Sequence, residues 1–155
     1  MVTQTTEYQT FKYLQHWRKE DDLQKLKAIF SNGTSLFSYL LTKTEELYSH
    51  LPKRKDGQEA LLHPLNVVLA LRDAHITDQI TLSVGLLHDY VEEVVDIYRD
   101  EHHLDEDGPD IEKLDQYEAE VFVKLEQDLM QQTNPTAVKT IIAALKLLTR
   151  HKRDF

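Results

Sequence analysis

A histidine and an aspartate stand side by side at the end of a strongly apolar run. His88 and Asp89 follow residues 83–87, which read Ser-Val-Gly-Leu-Leu. Such a run predicts a core helix, so both polar side chains should be drawn into apolar surroundings. Burying a neutral polar group without a partner costs roughly 1 to 3 kcal/mol, and a carboxylate costs more. A divalent cation is one partner that would satisfy both. A hydrogen-bonded core histidine beside an exposed aspartate is the alternative.

A second histidine favours the metal hypothesis. His63 precedes Pro64 at the head of the preceding apolar segment, and an antiparallel hairpin of the two helices would bring it beside His88. Two imidazoles and one carboxylate suit a borderline or hard divalent ion, for which manganese, iron, zinc and magnesium are the candidates. We therefore predict one divalent metal ion on His63, His88 and Asp89.

Two glutamates lie four residues beyond the predicted ligands. Glu92 follows His88 and Glu93 follows Asp89 at this spacing, which puts each pair on one side of a continuous helix. Their carboxylates could then reach water on the cation. A carboxylate there can accept a proton from that water or give one to a leaving group, as hydrolysis of a phosphate ester requires. Glu92 and Glu93 are thus candidate catalytic residues.

The elements that must position these residues are helices. Only four glycines and four prolines interrupt the chain, and the strand-like alternation of β-branched residues is absent. These features predict an all-α fold in which Pro64 lies in the first turn of a helix and Thr77 caps the next one. We expect helices ending before Asn32 and Pro52, and others over about Ala60 to Ala74, Thr77 to Asp89, Ile111 to Met130 and Thr136 to Arg150.

The composition excludes several classes of protein. A length of 155 residues fits one domain, 1–155, with a core of its own. Because the chain has no cysteine, it can form neither a disulfide nor a zinc-thiolate cluster, which favours a cytoplasmic location. No segment approaches the roughly 20 apolar residues of a membrane-spanning helix. The net charge of -9 repels nucleic-acid backbones, so we expect neither a membrane nor a nucleic-acid partner.

Two stretches of the chain resemble a known family. Residues 54–67, RKDGQEALLHPLNV, and residues 85–93, GLLHDYVEE, are similar to the HD hydrolase domain of RelA/SpoT-type guanosine tetra- and pentaphosphate hydrolases. Leu148-Thr149-Arg150 matches a short family signature more faintly. The resemblance implies an HD-domain bundle of about six to seven helices. It also implies hydrolytic removal of pyrophosphate from the 3' position of a small-molecule guanine nucleotide.

The resemblance implies roles for the five residues already singled out. His63, His88 and Asp89 match three of the family's four metal ligands, which typically hold manganese. Glu92 and Glu93 match its acidic pair beside the attacking water, although the family usually has aspartate at the second position.

Two basic clusters provide the substrate contacts that the resemblance implies. Arg54 matches the arginine that packs against the guanine base, and Lys55 matches the basic residue beside it. The first cluster comprises Lys53, Arg54 and Lys55, and the second comprises Arg150, Lys152 and Arg153. Both clusters would neutralise phosphate charge in a site that is otherwise strongly acidic.

The family's fourth ligand is absent from this sequence. It is an aspartate in a later motif resembling VKLADRLHN, for which Asp154 is a weak substitute. We therefore expect either that the domain is incomplete at its C-terminus or that the site is completed differently, and that hydrolysis by these 155 residues is absent or very slow. An incomplete domain should also leave an apolar side of the last helix uncovered, which would favour a homo-oligomer. That side would comprise Ile141, Ile142, Leu145 and Leu148.

The acidic segment 96–115 is a second departure from the family. His102 and His103 within it could bind metal, but solvent exposure is the favoured interpretation on so charged a segment. A catalytically silent HD-like module that meets a basic partner through this segment is the rival to the hydrolase hypothesis. Among enzymes, the alternative is an HD phosphohydrolase for another nucleotide or phosphate monoester.

Overall fold

The computed structural model describes Gln24, Lys27 and Ala28, and then residues 35–53 and 59–149. The described part contains six long helices and no strand, which confirms the all-α prediction and is close to the expected helix number. The predicted helix before Asn32 lies largely outside the described residues. In chain order the helices are α1 Ser35–Tyr48, α2 Leu62–Asp73, α3 Gln79–Leu87, α4 Tyr90–Glu101, α5 Ile111–Met130 and α6 Pro135–Leu148.

The chain divides into two compact units, Met1–Leu86 and Leu87–Phe155. The described part of the first unit contains α1, α2 and all of α3 except its last residue. The second unit contains α4, α5 and α6. The single-domain organisation expected from the sequence stays a prediction.

The first unit has a leucine-rich core. On α1, Leu36, Leu40, Thr44 and Tyr48 are buried at four-residue intervals, the spacing that places side chains on one helix face. The helix ends before Pro52, as predicted from the sequence. The remaining buried apolar residues of this unit are Phe37, Leu41, Ala60, Leu61, Leu62, Leu65, Val68, Leu69 and Leu86.

The start of α3 is capped by Asp78. Its Oδ2 accepts hydrogen bonds from the Thr81 backbone N–H at 2.9 Å and from the Thr81 hydroxyl at 2.7 Å. These bonds lower the pKa of Asp78 from its ordinary value of 3.8. The sequence analysis assigned the cap to Thr77, which is wrong by one residue. The helix begins at Gln79, so Asp78 directly precedes it, and the Asp78 carboxylate accepts the N–H of Thr81, the third residue of the helix.

In the second unit, α5 packs against both α4 and α6. The rings of Tyr98 on α4 and Tyr117 on α5 stack with centroids 3.8 Å apart. At the start of α6, Asn134 Oδ1 accepts a hydrogen bond from the Ala137 N–H at 2.9 Å, and Pro135 occupies the first turn. This geometry confirms the helix break predicted at Asn134-Pro135, because proline is tolerated where its missing N–H would have no intrahelical partner.

The expected uncovered apolar side of the last helix is wrong for three of its four residues. Ile141, Ile142 and Leu145 are buried, while Leu148 is 50% exposed. The physical reason lies within the second unit, where α6 packs against the neighbouring helix α5. None of the helices in residues 35–53 and 59–149 is long and apolar enough to cross a membrane.

Replacement of Asp78 by alanine tests the cap. Asp78→Ala should lower the free energy of unfolding by about 1 kcal/mol at neutral pH, because the third N–H of α3 loses its acceptor. Since the folded-state pKa of Asp78 is lowered, its contribution should be complete above the ordinary value of 3.8 and disappear as the pH falls through the folded value.

Urea unfolding at neutral and acidic pH measures both effects. Thr77→Ala is the matched control, because Thr77 is exposed and just outside the cap. Equal losses in the two variants at neutral pH would contradict the assignment to Asp78.

Candidate metal centre

His63 is the second residue of α2. The first turn of this helix is irregular: Leu62 N–H donates to Glu59 O at 3.1 Å, and His63 N–H donates to Ala60 O at 3.3 Å. Pro64 follows in the same turn, as predicted, where its missing N–H costs little. These local bonds fix the backbone at His63, whose side chain is half-buried.

His88 and Asp89 form the turn that joins α3 to α4. The sequence analysis placed them on the end of the core helix and continued that helix to Glu93. In the structure α3 ends at Leu87 and α4 begins at Tyr90, so the single continuous helix is wrong. We call this two-residue connection the His88–Asp89 turn.

Asp89 occupies the N-cap position of α4, but its side chain makes no cap hydrogen bond. Its backbone carbonyl accepts the Glu93 N–H at 2.9 Å, as the first bond of a helix requires. The carboxylate instead lies beside the neighbouring imidazole, with His88 Nε2 and Asp89 Oδ2 3.0 Å apart. An aspartate at this position normally caps its helix, so its carboxylate is directed away from the usual structural role.

Gly85 marks a close approach of α2 and α3 within the first unit. An ideal Cβ added to Gly85 would lie 2.7 Å from Leu71 Cδ1 and 3.4 Å from Val67 Cγ1. The absence of a side chain at Gly85 lets the last turn of α3 rest against the middle of α2. His63 is one turn before Val67, and the His88–Asp89 turn begins three residues after Gly85.

The structure brings the three predicted ligands together. One ligand atom from each of His63, His88 and Asp89 lies within 4.8 Å of the other two, and all three side chains are half-buried. His88 Nε2 and Asp89 Oδ2 lie 3.0 Å apart, which is also a hydrogen-bond distance between an imidazole and a carboxylate. Two imidazoles and a carboxylate are a chemically suitable donor set for a divalent transition metal. Metal binding by these residues stays a prediction.

Glu92 and Glu93 lie in the first turn of α4 and are half-buried. Glu93 is one helical turn after Asp89, as predicted, whereas His88 lies outside α4 and does not share a helix with Glu92. Two carboxylates in a first turn also complement the positive end of the helix dipole, which is a structural reason for acidic residues here. Their predicted part in proton transfer stays a prediction.

The predicted substrate contacts lie outside the described residues. This holds for Arg54, Lys55 and Arg150, and for Asp154, the weak substitute for a fourth ligand. Within the faint C-terminal signature, Thr149 is described: it is buried, and its hydroxyl donates to Leu145 O at 2.7 Å. This hydrogen bond gives Thr149 a structural role at the end of α6.

The acidic segment is organised around Arg99. Its guanidinium contacts Asp96, Asp100 and Glu106. Although burial opposes the charged form, hydrogen bonds to Asp100 and Asp96 outweigh it and raise the pKa of Arg99. His102 and His103 are exposed, in agreement with the favoured interpretation of these adjacent histidines.

Sequence reasoning missed two features of this region. It named no separate helix at residues 90–101, although Tyr90, Val91, Val95 and Tyr98 recur at helical spacing there. The acidic residues between them obscured that signal. It also gave no role to Asn66, which is buried on α2 three residues after His63. A polar amide inside the run LNVVLAL was the available signal.

Comparison of the chain with protein-family models, with curated proteins and with solved structures gives no match.

The contact at Gly85 can be tested by enlarging the residue. Gly85→Val should lower the free energy of unfolding by about 1 to 3 kcal/mol, because its methyl groups overpack the contact between α2 and α3. Gly85→Ala should be close to neutral: its Cβ meets the mobile end of the half-buried Leu71 side chain, and alanine favours a helix by up to about 1 kcal/mol.

Urea unfolding of both variants and of the double variant Gly85→Val/Leu71→Ala completes this test. The double variant should lose less stability than the sum of the two single losses, because the shortened side chain makes room. Additive losses would show that the contact with Leu71 is not the cause.

Proposed function

We propose that this chain is a metal-dependent nucleotide phosphohydrolase that removes pyrophosphate from the 3' position of guanosine tetra- or pentaphosphate. The observation that carries the proposal is the grouping of His63, His88 and Asp89, whose ligand atoms lie within 4.8 Å of one another. The sequence resemblance in residues 54–93 supplies the substrate class, because it includes Arg54 and Lys55 at the positions of the base contacts.

The half-buried ligands suit a site that must admit both water and a nucleotide. A divalent ion held there would lower the pKa of a coordinated water and polarise a phosphoryl oxygen. Manganese is the favoured ion, with iron, zinc and magnesium as alternatives. His63 and His88 would bind it as neutral imidazoles, and Asp89 would supply the negative charge.

Glu92 and Glu93 are the candidates for proton transfer in this proposal. Their place in the first turn of α4 fixes the backbone from which both carboxylates extend. Their half-buried state keeps them open to water, as exchange of protons with solvent requires. A carboxyl group that takes a proton from the attacking water can pass one to the leaving oxygen.

A phosphohydrolase for another nucleotide or for a phosphate monoester would use the same three ligands. The ligand group supports hydrolysis of a phosphate ester in general, whereas Arg54 and Lys55 alone favour a guanine base. The substrate specificity therefore depends on these two residues, while the reaction type depends on the metal group.

A binding module is the second candidate, and one surface favours it. A groove on α5 and the end of α6 combines apolar with acidic side chains, and Val123 within it is 56% exposed. A basic amphipathic segment would complement such a surface. The groove is lined by Ala119, Phe122 and Val123, by the acidic Asp115, Glu118 and Glu126, and by one cation, Lys146.

Calorimetric titration with Mn²⁺ tests the metal site. The parent chain should bind one Mn²⁺ ion. Losing a residue that only supports a ligand costs up to about 100-fold in metal affinity. His88→Ala removes a ligand itself, so it should lower the Mn²⁺ affinity by more than about 100-fold. His102→Ala is the matched control, because His102 is exposed and contacts the Tyr98 carbonyl through Nδ1. Equal Mn²⁺ affinity in His88→Ala and the parent would overturn the site assignment, and a parent that binds no metal would favour the binding module.

Pyrophosphate release from guanosine tetraphosphate with Mn²⁺ tests the reaction. Single-turnover conditions, with the chain in excess over the nucleotide, make even a slow reaction measurable. Glu92→Gln should lower the rate by about 10²-fold or more with metal content intact, the usual scale for losing acid-base assistance.

Glu112→Gln is the matched control for this experiment, since Glu112 also lies in the first turn of a helix but on α5. A Glu92→Gln rate equal to that of the parent would remove Glu92 from the mechanism. Release that is as fast in His88→Ala as in the parent would contradict the proposed function itself.

A further inference from the structure

Asn66 on α2 is a polar side chain in an apolar environment. It is 8% exposed, and its Oδ1 has no hydrogen-bond partner among the residues that the structure describes. Leu65 before it and Val68 after it are fully buried. Leaving an amide oxygen unsatisfied at such a position costs about 1 to 3 kcal/mol, so a leucine would serve the core better.

The position of Asn66 relative to His63 suggests where a donor would come from. Residues three apart on a helix are neighbours, with Cβ atoms about 5 to 6 Å apart. An imidazole and an amide side chain are each long enough to span that separation with one hydrogen bond. Both residues belong to the first unit and to the same helix, so their spacing depends on α2 alone.

Metal coordination creates a need for such an acceptor. A histidine that binds a metal through one ring nitrogen carries a proton on the other, and that N–H usually donates to a carboxylate, a carbonyl or water. The acceptor fixes the tautomer and the ring orientation and makes the coordinating nitrogen more basic. An asparagine Oδ1 has the required chemistry.

We propose that Asn66 is a positioning residue for His63: its Oδ1 accepts the ring N–H of His63 when His63 holds the metal. The inference rests on the proposed function, since it needs His63 as a ligand. It explains why a polar amide occupies a core position of α2. The unsatisfied oxygen lowers the stability of the helix packing, and in return it orients one ligand.

Isosteric variants separate this role from a structural one. Asn66→Leu keeps the size and removes the acceptor, so its thermal stability without metal should equal or exceed that of the parent. Its Mn²⁺ affinity should fall by about 10- to 100-fold, the usual cost of losing the group that supports a ligand. Asn66→Asp retains an acceptor and should restore the affinity. Thr44→Val is the control, because it removes another buried, unsatisfied oxygen from the same unit and should leave the affinity unchanged.

Nitrogen-15 NMR of the histidine rings in the Zn²⁺-loaded protein observes the hydrogen bond directly. The parent and Asn66→Asp should show a slowly exchanging ring N–H on His63, which Asn66→Leu should lack. This signal is independent of the charge that aspartate introduces, and its absence from the loaded parent would overturn the proposal even if Asn66→Leu fails to fold.

The outcomes distinguish the two proposals. If the parent binds metal and Asn66→Leu binds it equally well, or if His63 shows no protected ring N–H in the loaded parent, Asn66 has no positioning role and the proposed function stands. If the parent binds no metal, both proposals fall.

Discussion

The contact of Gly85 on α3 with two side chains of α2 is the constraint on which the packing of these two helices in the first unit depends. A Cβ at position 85 would lie 2.7 Å from Leu71 Cδ1 and 3.4 Å from Val67 Cγ1. Alanine can be accommodated because the end of the Leu71 side chain can move, whereas a larger side chain would overpack the contact. This constraint acts on the helix that carries His63 and at a position three residues before His88 in the chain.

Two polar groups at or near the candidate site depart from the structural roles that their positions would allow. The Asp89 carboxylate does not cap α4, and the Asn66 amide oxygen is buried without a partner in the described residues. Asp78, one helix earlier, does cap α3 with a similar side chain. The neighbouring imidazole explains the contrast between the two aspartates, because Asp89 Oδ2 lies 3.0 Å from His88 Nε2 instead of at the start of α4. Departures of this kind from local rules concentrate at functional sites.

The sequence predicted the features that depend on local chemistry. Asn134-Pro135 marked a helix start, Pro64 marked a first turn, and apolar periodicity gave the helix Ile111–Met130 to the residue. The prediction from sequence was wrong where two adjacent residues could take the same role. Thr77 and Asp78 can both cap α3, and only the path of the backbone selects Asp78. The break at His88–Asp89 was hidden because neither residue forbids a helix. The cover over Ile141 depends on tertiary packing by α5, which helix periodicity within α6 cannot specify.

Charge balance under the proposed function gives the basic residues a part in binding the nucleotide. Two neutral imidazoles, one carboxylate and a divalent cation leave a single positive charge, which would attract a phosphate. If Glu92 and Glu93 were both ionised beside it, the group would become negative and would repel that phosphate. The basic residues at 54, 55 and 150 would offset this repulsion by adding positive charge. An acidic protein would thus bind an anionic nucleotide through the divalent ion and these three basic side chains together.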